Sequence, residues 1–168
     1  MLFRSRQFIQ NANAITGANV MRFVPVPPTN ATDGGGNDWW QLTVSNILPP
    51  ISDADTTIDG QAYSRVDGVT VLNTNSAVLG FVGAVGLGAD ATPATADEPT
   101  LAGVQGPEFE IVEDAPSQVN QGLDLQANDL TVRRIAIHGF GNDNPNSANL
   151  FAEADIRVGI AEIGRAHV

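Results

Sequence analysis

The chain has no cysteine and no lysine, and it holds a single tyrosine, two tryptophans and two histidines among its 168 residues. Without cysteine there are no disulfides, no thiolate metal sites and no cysteine nucleophiles. No run approaches the roughly 18 to 20 apolar residues that a membrane span needs. The opening Met1-Leu2-Phe3-Arg4-Ser5-Arg6 leads into polar sequence rather than a signal-peptide core, so an export signal is expected upstream. Basic residues are scarce: eight arginines face nineteen acids, for a net charge of -11 and a pI near 4.2. Such an acidic surface repels phosphate backbones and anionic headgroups, which argues against nucleic-acid and membrane-surface partners.

What is present suits a folded β protein. At 42% hydrophobic residues the chain can bury one continuous core. Phe8, Ile9, Ala12 and Ile15 recur at helical spacing and Gly17 follows, which predicts a short amphipathic helix over residues 4–16. Val20 to Val24 alternate and then meet Pro25, Pro27 and Pro28, a strand ended by residues that cannot donate to a ladder. After a Gly/Asn/Asp loop at 30–38, Trp40, Leu42 and Val44 share one strand face, and Trp39, Gln41 and Thr43 share the other. Residues 51–60 form a further β-rich unit with an Asp-Gly turn. Residues 62–106 read as an irregular Gly/Ala/Thr-rich insertion, with weak strands at 69–72 and 78–85.

Beyond residue 106 short apolar pairs recur: Phe109 and Ile111, Leu123 and Leu125, Leu130 and Val132, Ile135 and Ile137, Ile156 and Val158. Short strands that each bury two residues, separated by Asn, Asp and Gly, predict an all-β solenoid of stacked coils. Seventeen glycines fit the tight corners such coils require.

Several segments resemble large bacterial surface proteins of the right-handed parallel β-helix (pectin-lyase-like) type. Arg6-Gln7-Phe8-Ile9-Gln10-Asn11-Ala12-Asn13 with Val20-Met21-Arg22-Phe23 is similar to their capping helix and first strand. Ile47-Leu48-Pro49-Pro50-Ile51-Ser52-Asp53 with Thr57-Ile58-Asp59-Gly60 is similar to a following segment. Gly122-Leu123-Asp124-Leu125, Leu130 to Ile137 and Gly139-Phe140-Gly141-Asn142 are similar to a regular coil. Ser5 stands where that family has Leu, Arg134 stands where Gly is common, and the strand before the helix is missing. The resemblance implies a single-stranded parallel β-helix with an N-terminal capping α-helix, truncated, in an exported protein found outside the cell or on its surface.

The expected organisation is one domain fragment over 1–162, with the capping helix at 4–16, the insertion at 62–106 and regular coils at 107–162. Residues 163–168, Ile163-Gly164-Arg165-Ala166-His167-Val168, read as a translated frame of a common sequencing adapter, and are expected to be an artefact outside the fold.

Candidate chemistry is sparse. Asp53, Asp55 and Asp59 form the best acidic group, and oxygen ligands of this kind suit Ca²⁺. Their spacing matches no EF-hand loop, and turn aspartates more often bond their own backbone. Gly34-Gly35-Gly36-Asn37-Asp38 resembles part of a Ca²⁺-binding nonapeptide, but in a single copy, so a loop is expected. Glu108 and Glu110 lie on the outward phase around Phe109 and read as solvated surface, as does His138. Arg133 and Arg134 are expected to pair with carboxylates, one of them pointing away from the core by alternation. Trp39, if outward, would offer an aromatic face to a sugar ring; otherwise it packs under the 30–38 loop. No catalytic residues and no cofactor are assigned, and no G-x-S-x-G, P-loop or H-E-x-x-H motif occurs.

These readings converge on a non-catalytic structural or adhesin-like module contacting carbohydrate or other cell-surface components. The alternative is the N-terminal part of a polysaccharide lyase or glycoside hydrolase whose active site lies in downstream coils.

Overall fold

A computed structural model describes residues 5–79, 85–93, 95–100, 102–114 and 119–141, together with the backbone of 154–158. The adapter-like residues 163–168 lie outside this set. Among the described residues one helix, α1 (Ser5–Ala14), precedes eleven strands. They are β1 (Asn19–Phe23), β2 (Ala31–Thr32), β3 (Asp38–Val44), β4 (Thr56–Ala62), β5 (Val78–Leu79), β6 (Val104–Gln105), β7 (Phe109–Glu113), β8 (Gln121–Leu125), β9 (Thr131–Arg133), β10 (Ile135–His138) and β11 (Ala154–Val158).

The helix forms where the periodicity placed it. Ile9 and Ala12 are buried and Phe8 packs against the core, while Ile15, past the helix end, is exposed. Gly17 supplies the left-handed turn that stops it, at φ 104°. The Asn19 amide nitrogen lies 2.8 Å from the Ile15 carbonyl and 2.9 Å from both the Gly17 carbonyl and Asp53 Oδ2. Asn13 docks the helix: its amide donates to the Pro50 carbonyl at 2.8 Å and its oxygen accepts the Ser52 N–H at 2.9 Å.

Among the described residues the strands divide into four sheets: β1-β4-β9, β10-β7-β3-β2, β11-β8 and β5-β6. Strands distant in sequence pair in parallel, with Trp40 opposite Phe109, Phe109 opposite Ile135, and Ile58 opposite both Met21 and Val132. The β2–β3 and β5–β6 pairs are antiparallel. The β2–β3 connection is closed by Asp33, whose Oδ1 accepts the Gly35 N–H at 2.7 Å and whose Oδ2 accepts the Asn37 amide at 2.7 Å. The nonapeptide-like Gly34 to Asp38 segment is thus a hairpin turn running into β3.

This arrangement corrects the expected fold. Among the described residues the strands form several mixed sheets with one short helix, and no closed solenoid can be traced through their order, so the single-stranded right-handed parallel β-helix is not the architecture found. The physical reason lies in what short apolar pairs encode. They fix where strands are and which face is buried, but partner choice and direction depend on distant packing and on turns such as Asp33.

The core sits between α1 and the parallel ladders. It gathers Ile9, Met21, Phe23, Trp40, Ile58 and Phe109, among others. Phe109 is fully buried and stacks on Phe23 at 4.3 Å and on Trp40 at 5.4 Å between ring centroids. The three rings, from β1, β3 and β7, thereby pack the β1-β4-β9 sheet against the β3–β7 ladder. Leu123, Leu125, Leu130, Val132, Ile135 and Ile137 all join or pack against this core, as their spacing predicted. The pair Ile156 and Val158 is seen as backbone, with Ile156 in register with Leu123.

Candidate functional site

Alternation along β3, β7 and β10 sends Trp40, Leu42, Phe109 and Ile111 inward, and therefore Trp39, Gln41, Glu110 and His138 outward. The parallel register puts Gln41 opposite Glu110, and Glu110 opposite Ala136. The outward side chains meet at one carboxylate. Glu110 Oε2 accepts the Trp39 indole N–H at 2.8 Å and the Gln41 amide at 2.8 Å, while its Oε1 meets the His138 imidazole.

Burial of Glu110 works against its charge. Hydrogen bonds from Trp39, His138 and Gln41, with the imidazole's charge, outweigh that penalty and hold its carboxyl below the usual range. A general acid needs the opposite shift, so this carboxylate is set up as an acceptor and a charge rather than a proton donor. Glu108, expected at the solvated surface, is buried instead; its Oε1 accepts the N–H groups of Thr74 at 2.9 Å and Asn75 at 3.1 Å. Sequence spacing showed Glu108 and Glu110 as a pair, but the structure gives them separate structural partners.

Trp39 is half-buried and lies on the outward face of β3, between the hairpin turn and β7. A cavity of about 230 Å³ opens beside it, lined by Asp33, Trp39, Leu79, Pro107, Glu110 and Ala136. Its contributors come from four parts of the chain. Gln41 and Asp33 were not singled out as functional residues from sequence; period-two alternation placed Gln41 beside Trp39, but only the pairing register brought Glu110 to both.

The three candidate Ca²⁺ ligands do not converge. Asp53 accepts the Asn19 amide, Asp55 occupies a left-handed turn at φ 59°, and Asp59 is buried under two arginines. Among the described residues no group of three or more His, Asp or Glu side chains is placed to hold a metal ion.

Asp59 is the more informative of the three. Arg134 Nε donates to its Oδ1 at 2.7 Å, Arg134 Nη2 contacts its Oδ2, and Arg133 Nε donates to Oδ2 at 3.1 Å. Both arginines reach the same carboxylate because Arg134, at φ 56°, is a left-handed corner between β9 and β10 and breaks the alternation expected there. Gly60 packs onto that corner: a Cβ on it would stand 2.0 Å from the Arg134 carbonyl oxygen.

No helix among the described residues is long and apolar enough to cross a membrane. Compared with known proteins, the chain matches no family model, no curated protein and no solved structure.

Proposed function

We propose that the chain is a non-catalytic structural and adhesive module of an exported bacterial surface protein, and that the outward face of the β3-β7-β10 sheet is its contact surface. The observation that carries this reading is the Glu110 junction. One carboxylate holds Trp39, Gln41 and His138 from two neighbouring strands, so an aromatic side chain is presented from a rigid sheet rather than from a loop. Fixing the ring before contact lowers the entropy lost on binding.

The other buried charges also support a scaffold. Asp59 and Glu108 spend their oxygens joining strands and loops distant in sequence. The acidic composition and the resemblance of the helix and coil motifs to surface proteins support a setting outside the cell or on its surface, where carbohydrate and other cell-surface components are the available partners.

The test is binding of the purified full chain to immobilised cell-surface polysaccharides, with product assays run in parallel. Adhesion that W39A removes without altering the circular dichroism spectrum supports the reading. Release of unsaturated or reducing-end products by the chain would overturn its non-catalytic part.

A further inference from the structure

The cavity beside Trp39 has a chemical character that narrows its ligand. Leu79, Pro107 and Ala136 give it apolar walls suited to methyl and methylene groups. Asp33 gives it negative charge, Glu110 adds a carboxylate whose Oε1 is shared with the His138 imidazole, and no Arg side chain among the described residues lines it. The Asn37 side chain and then the Gly35 N–H hold the Asp33 carboxyl below its usual range, so it is ionised across the neutral region.

The indole itself is prepared for a cation. Its N–H donates to the Glu110 carboxylate at 2.8 Å, which pushes electron density into the ring and strengthens the attraction of its face for positive charge. Directional partners, by contrast, are already engaged. Glu110 has contacts on both oxygens, and Asn75, which also lines the cavity, donates to the Pro107 carbonyl at 2.8 Å while its oxygen accepts the Ala77 N–H at 3.2 Å. A ligand rich in neutral hydroxyls must compete for these groups. A cation needs only the field and the ring face.

We propose that the Trp39 cavity binds an organic ammonium group, carried by an amino sugar or by a choline-type alcohol. This rests on the reading of the β3-β7-β10 face as the contact surface, and it specifies the charge class that the surface selects.

The test titrates the full chain with tetramethylammonium, choline, glucosamine, N-acetylglucosamine and glucose, following the Trp39 indole N–H resonance by NMR. Tetramethylammonium should shift that resonance saturably, and E110Q should weaken its binding about tenfold, the scale expected when a cation in an aromatic site loses a neighbouring charge. D33N, outside the sheet and with one oxygen left to accept the Gly35 N–H, should weaken it in the same direction. Binding of glucosamine without choline, or the reverse, supports the inference and identifies the carrier. Glucose or N-acetylglucosamine binding as well as the cations, with E110Q unchanged, would overturn the ammonium site and leave the contact surface standing. Adhesion to cell-surface material with no response to any of the cations would do the same. Absence of both adhesion and cation binding in a folded chain would remove both readings.

Discussion

Asp59 and Arg134 stand 75 positions apart in the chain, yet the Arg134 guanidinium closes on both oxygens of the Asp59 carboxylate, with Nε to Oδ1 at 2.7 Å. The carboxylate is buried and the two guanidiniums that reach it, from Arg134 and Arg133, are half-exposed. The corner between β9 and β10 is thereby tied to β4 by charge, beside the β4–β9 ladder that ends at the same Asp59.

Replacing this carboxylate should be costly. D59N is expected to lower unfolding stability by about 2 kcal/mol, less than a fully buried pair because both arginines remain solvated. Burial pushes the Asp59 carboxyl up, but Arg134, the Gln61 N–H and Arg133 more than offset this and set it below its ordinary 3.8. A carboxyl depressed on folding contributes stability that is complete above the unfolded value and is lost as pH falls through the folded one. Denaturant midpoints for wild type and D59N should therefore stay separated at neutral pH and converge below about pH 4. A constant gap down to acid pH would contradict the assignment.

The Arg134 corner separates backbone strain from charge. R134A loses the guanidinium and keeps a side chain at φ 56°, whereas R134G loses the guanidinium but relieves the strain. R134G should be more stable than R134A by about 1 kcal/mol in urea unfolding. Equal stability would show that the left-handed conformation is not maintained in solution.

Gly60 faces the same corner from β4. G60A would drive a methyl into the Arg134 carbonyl, a backbone atom that cannot swing aside. A loss of about 2 to 3 kcal/mol is expected, read as a lower denaturation midpoint. The corner and the strand should unfold together, so a double variant G60A/R134G should show a non-additive effect.

Phe109 joins the ring stack of β1, β3 and β7. F109A should cost about 4 kcal/mol through the lost burial, the cavity and the broken stacking, enough to leave a domain of this size largely unfolded. F109L, which keeps most of the volume, should retain a cooperative transition with a lower midpoint by differential scanning calorimetry.

Helix docking can be tested apart from the core. N13A removes a donor and an acceptor used by the segment at Pro50 and Ser52, and should lower stability by about 1 to 2 kcal/mol. I9D places a charge at a fully buried helix position and should cause unfolding or aggregation. A monomeric, fully folded I9D chain would refute the role of α1 as a cover for the core.

Much of this architecture is local and was readable from residue order. Helical spacing of Phe8, Ile9 and Ala12 with Gly17 behind them places α1, and period-two alternation sorts Trp40 and Leu42 from Trp39 and Gln41. These follow because the geometry of one element depends on neighbours in sequence. Alternation also showed Glu110 and His138 facing outward, but not that they share a carboxylate contact with Trp39.

What the tertiary structure decided is pairing. Whether short strands stack as one solenoid or divide among mixed sheets depends on turns such as the one at Asp33 and on long-range packing, and here the outcome differs from the β-helix that the motifs resemble. The same holds for the charges. Asp59 read as a turn residue or a Ca²⁺ ligand until a left-handed Arg134 brought two guanidiniums onto it. Sequence by itself determined which side chains are apolar, acidic or free to turn. Only the fold determined which of them meet, because contacts across 70 or more positions are set by the register of strands and leave no local trace.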